Sequence, residues 1–139
     1  MKMLRARRRM FGSPKGFTLV ELLIVVAIIG ILAATGIALY ASVQQRARVA
    51  KAQADIRALA AAASAYQAHV GTLPTALTDL TVTVANASGQ TAGPFIGNIP
   101  SPPTIGSPAW PAAYSYAADA TAGTFSISAS GDGATIVLP

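Results

Sequence analysis

Lys15-Gly16-Phe17-Thr18-Leu19-Val20-Glu21-Leu22-Leu23-Ile24-Val25-Val26-Ala27-Ile28-Ile29-Gly30-Ile31-Leu32-Ala33-Ala34 is the stretch on which the reading of this chain turns. A basic residue and a glycine lead into an apolar run. From Phe17 to Tyr40 the run has 24 residues, and Glu21 is the only charge among them. At about 1.5 Å per residue, a helix of that length reaches roughly 36 Å, enough to cross a bilayer core with some tilt. A plain membrane anchor would not explain Glu21. A carboxylate in a membrane helix costs about 2.5–3.5 kcal/mol on insertion scales, so its presence one turn into the run points to a role. Gly30 and Gly36 each weaken helicity by about 1 kcal/mol relative to alanine. Gly30, Ala33, Ala34 and Ala38 also make a small-residue face that admits a close neighbour.

The charges divide at the start of this run. Residues 1–16 carry Lys2, Arg5, Arg7, Arg8, Arg9 and Lys15 and no acid, whereas residues 17–139 carry four basic and five acidic residues, net −1. The net charge of +5 therefore belongs to the leader. Arg7-Arg8-Arg9 could suggest nucleic-acid binding, but a basic cluster immediately before an apolar run fits the positive-inside rule better. On that reading the N-terminus is cytoplasmic and the C-terminal part is exported. An ordinary secretory signal fits poorly, because the apolar stretch exceeds the usual ~7–15 residues and no convincing A-x-A cleavage site follows it.

Gly16-Phe17-Thr18-Leu19-Val20-Glu21, followed by the long apolar run, resembles the processing site of type IV pilins and of the pseudopilins of type II secretion. The resemblance implies that a prepilin peptidase cuts between Gly16 and Phe17 and that Phe17 becomes N-methylated. It further implies that Glu21 takes part in filament assembly, paired with the terminal amine of Phe17 on a neighbouring subunit. The expected partners are further copies of the chain in a helical filament, the prepilin peptidase, inner-membrane assembly platform proteins and the membrane; no nucleic acid is expected. The implied location is the bacterial inner membrane, with one pass and an exported head, and then a periplasmic pseudopilus or a cell-surface pilus. The chain departs from the family in having no proline between Phe17 and Pro74; many relatives carry one near Ala38, and Gly36 is the candidate substitute. Cysteine is also absent, so the head is held without the disulfide that many pilins carry.

The helix is expected to continue into water. Val49, Ala52, Ile56, Leu59, Ala63, Tyr66 and Val70 recur every three or four residues, an apolar stripe of helical period. Arg46, Arg48, Lys51, Asp55, Arg57 and Gln67 fall off the stripe, and Lys51 and Asp55 are spaced to pair. Gly71 ends the helix and Pro74 prevents its resumption. Its terminus favours the sole histidine, His69, as a dipole partner rather than as a ligand.

Residues 71–111 read as a loop-rich connector, with a short helix near Leu77 and Leu80, a strand over Thr81–Ala85 and a loop over Asn86–Gly93. The tail reads as three short strands, Tyr114–Ala117, Thr124–Ser128 and Thr135–Leu138, joined by turns at Asp119–Gly123 and Gly131-Asp132-Gly133. The fold expectation is α+β: a long N-terminal helix, membrane half and amphipathic half, packed on a small antiparallel sheet in a pilin-like lollipop. Its parts are a leader over 1–16, an apolar helix over 17–40, an amphipathic continuation over 41–70 and a head over 71–139.

The order of weaker motifs, Gly93-Pro94-Phe95, Tyr114-Ser115-Tyr116 and Ser130-Gly131-Asp132-Gly133, resembles the major pseudopilins most. Such proteins often bind calcium in a C-terminal loop lined by acids, which makes Asp119 and Asp132 candidate ligands. Calcium takes six to eight oxygens, so backbone carbonyls and water would have to supply most of them, and a turn role for Asp132 is the simpler reading. No catalytic triad, metal cluster or phosphate-cradling loop is evident, which argues against an enzyme. The function expected is a structural subunit of a pseudopilus or pilus. The alternatives are a DNA-uptake pilin, which the net charge of the exported part helps little, or a membrane-anchored binding module that does not polymerise.

Overall fold

The computed structural model describes residues 16–139; the basic leader, including Arg7-Arg8-Arg9, lies outside the described residues. Helix α1 runs Leu19–Val70. It starts two residues after Phe17 because Thr18 caps it: the Glu21 amide donates to Thr18 Oγ1 at 3.2 Å, satisfying one of the helix's unpaired first-turn N–H groups. At the other end Gly71 adopts φ +89°, and its amide donates to Gln67 O at 2.8 Å. That left-handed stop is one that glycine makes without a Cβ clash.

The chain forms two compact units, one ending at Leu39 and one spanning Tyr40–Pro139. In the first, the side chains of Leu22, Ile24, Ile28 and Leu32 are all exposed. In the second, α1 contributes Ala52, Ile56, Leu59, Ala60, Ala62 and Ala63 to the core, with Val49 and Tyr66 packed at its edge. The expected stripe is thus the buried face, widened by Ala60 and Ala62, whose small side chains let neighbouring segments approach the helix closely.

A 3₁₀ turn, Leu77–Thr81, follows and buries Leu80. Asp79 holds its start: Oδ2 accepts from the Thr75 amide at 2.8 Å, the Thr75 hydroxyl at 2.7 Å and the Ala76 amide at 3.0 Å. The strand expected over Thr81–Ala85 is shorter than its alternating pattern suggested. Thr81 belongs to the 3₁₀ turn, and only Val84–Ala85 (β1) pairs, with Thr91–Ala92 (β2), inside a segment read as loop. The Asn86 side chain makes that hairpin possible, because Oδ1 accepts from the amides of Ser88 and Gln90 at 3.0 and 2.9 Å.

The main sheet is an antiparallel meander of β3 (Ser115–Asp119), β4 (Thr124–Gly131) and β5 (Ala134–Leu138). Strand β4 runs three residues beyond the expected Ser128, because Ala129, Ser130 and Gly131 find partners in Ile136, Thr135 and Ala134. Ile127, Ala129 and Gly131 alternate toward the core, where Ile127 is fully buried. Tyr114 stands just before β3 and is buried in the same cluster. The layout is α+β, one long N-terminal helix followed by a small antiparallel sheet.

Candidate functional site

The N-terminal site is built by a helix start. Gly16, Phe17 and Thr18 precede α1 in no regular element, and Phe17 is 86% exposed. Thr18 caps the helix and Glu21 is its third residue, which places a carboxylate in the first turn. The helix dipole favours a negative charge there, which offsets part of the cost of a charge in an apolar segment. Among the described residues the Glu21 carboxylate has no ion-pair partner. Behind it, exposed apolar side chains continue from Leu19 through Val43, a surface that water does not tolerate and that lipid or other apolar helices must cover.

The second site lies in the head and centres on Asp132. Asp132 is 4% exposed, and each of its carboxylate oxygens accepts two hydrogen bonds. Oδ2 takes Arg48 Nε at 2.6 Å and Trp110 Nε1 at 2.8 Å; Oδ1 takes Arg48 Nη2 at 2.9 Å and the Ser107 amide at 3.0 Å. The backbone of Asp132 is equally occupied: its amide donates to Pro108 O at 2.8 Å, and its carbonyl accepts from Gln45 Nε2 at 2.6 Å. The paired guanidinium, with Trp110 and Ser107 as further donors, outweighs burial and holds the Asp132 carboxyl well below the usual carboxylate range. Asp132 at φ 52° and Gly133 at φ 76° form the two-residue turn between β4 and β5, the positive-φ pattern that hairpins of this length favour. Glycine is required beside it: a Cβ on Gly131 would overlap the Trp110 indole.

A third carboxylate links α1 to the sheet entrance. Asp55 Oδ2 accepts from Lys51 Nζ at 2.6 Å and from Tyr114 OH at 2.7 Å, while Lys51 Nζ also reaches Ser101 O at 2.6 Å. Burial first, and then the Asp55 carboxylate, push the Tyr114 phenol above its ordinary value. His69 Nε2 donates to Gln90 O at 3.0 Å beside the Phe95 ring, a structural position at the end of α1.

The two candidate calcium ligands are not brought together. Asp119 closes β3, and its Oδ1 accepts from the amides of Thr121 and Ala122 at 2.9 Å each. Asp132 lies past the other end of β4, whose eight residues separate the two turns by roughly 24 Å at about 3.4 Å per residue. Among the described residues no group of three His, Cys, Asp or Glu side chains could hold a metal. The surroundings of Asp132, with four donors of which two belong to a guanidinium, are those that bind an anion. They do not fit a calcium ion.

Sequence reasoning found Asp132 as a turn residue but not its partners. Arg48 falls off the apolar stripe, yet its side chain is three-quarters buried. The available signal was thin: one tryptophan, one Asp-Gly turn and an arginine at the margin of the apolar stripe.

The prokaryotic N-terminal methylation motif matches residues 13–37, and the family described as type II secretion system (T2SS), protein G matches residues 40–135. The type II secretion system core protein G of Pseudomonas aeruginosa is 31% identical over 121 residues, covering 83% of this chain and 81% of that protein. Two fimbrial proteins of Pseudomonas aeruginosa are each 53% identical over 51 residues, which is 37% of this chain and 33% of theirs. The chain thus spans about a third of the length of those fimbrial relatives. No solved structure matches the chain significantly. A capped apolar helix that begins within the methylation motif, followed by a small antiparallel sheet, and the family match together define a pilin-like structural subunit and not an enzyme. Within that class the chain belongs to the type II secretion system protein G family.

Proposed function

We propose that this chain is a pseudopilin that polymerises into the periplasmic filament of a type II secretion system. It is made as a membrane-anchored precursor, cut by a prepilin peptidase between Gly16 and Phe17, N-methylated at Phe17 and drawn from the membrane into the filament. One observation carries this reading: exposed apolar side chains of α1 follow directly behind an exposed, non-helical Gly16-Phe17-Thr18 segment. A peptidase needs an accessible extended bond, and a filament core needs helices that bury apolar surface against one another. Burying one leucine or isoleucine side chain contributes about 1.5–3 kcal/mol, so a few such residues per contact suffice to drive association. The protein G match over residues 40–135 favours the secretion filament over a surface pilus, since the fimbrial likeness extends over 51 residues only.

Glu21 sets the register. Inside the filament its carboxylate pairs with the methylated terminal amine of Phe17 on a neighbour, and a misplaced subunit would leave that charge buried and unpaired. Glu21→Ala is expected to leave cleavage at Gly16 intact while reducing sheared filaments, counted by electron microscopy, by about tenfold or more. Filaments in normal number from that variant contradict the pairing.

A further inference from the structure

The major pseudopilins that this chain resembles often bind calcium in a C-terminal loop, and the residues of this chain do not fit one. We propose that the Arg48 guanidinium takes the place of a divalent cation at the C-terminal turn of the head, which therefore folds and keeps its stability without calcium. The argument is one of occupancy and charge. A carboxylate offers about four lone-pair sites, and at Asp132 all four are taken by Arg48 Nε and Nη2, Trp110 Nε1 and the Ser107 amide. Its carbonyl, the remaining oxygen a cation could use, accepts from Gln45. A calcium ion would need those oxygens at about 2.3–2.6 Å and would sit against the positive charge of Arg48. Asp119, the other acid near a turn of this sheet, is at the far end of β4.

The cross-link serves the purpose a metal would serve. Arg48 and Gln45 belong to α1, Ser107 and Trp110 to the loop-rich connector before β3, and Asp132 to the β4–β5 turn, so one aspartate ties three parts of the head. Both nitrogens of the Arg48 fork are used on the two oxygens, a bidentate geometry that lysine cannot reproduce.

The test uses the mature, full-length protein in detergent, with Trp110 fluorescence followed through thermal unfolding. The midpoint is expected to stay the same in EGTA and in millimolar calcium chloride. Arg48→Ala is expected to lower it by about 10 °C or more, and Arg48→Lys by a smaller amount. Should Arg48→Ala give no folded protein, the drop in Arg48→Lys carries the test. A midpoint of the unsubstituted protein that falls in EGTA and recovers with calcium overturns the proposal, as does either Arg48 variant with an unchanged midpoint.

Discussion

At Asp132 a left-handed backbone and a buried, fully bonded carboxylate fall on the same residue, and this couples head stability to pH. Its folded pKa lies below the value near 3.9 of an unfolded aspartate, because Arg48 favours the charged form. Stability from such a group is complete above the unfolded pKa and is lost as pH falls toward the folded one. Asp79 acts in the same direction, lowered first by the Thr75 hydroxyl and then by the Ala76 amide. The thermal midpoint of the head is therefore expected to hold between about pH 7 and pH 5 and to fall between about pH 5 and pH 3. A midpoint that rises or stays level over the acid interval would contradict the pairing of Asp132 with Arg48. Glu21 is the residue on which the proposed assembly depends, and its reading rests on spacing. Thr18 and Glu21 stand three apart, as a helix-capping threonine and first-turn acid do, so helix start and assembly residue share one short motif.

At the scale of elements, the helix face and the β4–β5 hairpin carry the fold. Ile56 is fully buried between α1 and the sheet, so Ile56→Ala is expected to destabilise the head by about 2–5 kcal/mol in denaturant titrations. Gly131→Ala acts by the opposite mechanism, overpacking against Trp110, at a cost of about 1–3 kcal/mol. A Gly131→Ala protein as stable as the parent would show that the indole does not occupy the place described. The apolar run and the stripe from Val49 to Val70 were legible in the sequence because helical period is a local property, repeated over many residues. The β3–β5 meander was legible to within a few residues because its turns are marked by glycine and aspartate. The β1–β2 hairpin was not, since two residues per strand leave too little alternation to see, and the Asn86 side chain fixes it. Nor was the Arg48–Asp132 pair, whose partners lie 84 residues apart and meet only once the helix and the hairpin are in place.

For the whole molecule, sequence and structure describe a division of labour along one chain. A basic leader precedes an apolar helix, and the remainder, residues 41–139, balances four basic against four acidic residues and is tied together by ion pairs and hydrogen bonds to carboxylates instead of by disulfides. On the proposed reading, the apolar surface of α1 is the feature that calls for other copies, and cleavage of the Gly16–Phe17 bond is the step that commits the chain to them. The intact mass of the protein, recovered from membranes of a host with a matching prepilin peptidase, tests this account most directly. It predicts a species lacking residues 1–16 and carrying one added methyl group. A chain left uncut, or one cut beyond Ala34, would contradict it and would remove the neighbour's amine with which Glu21 is proposed to pair.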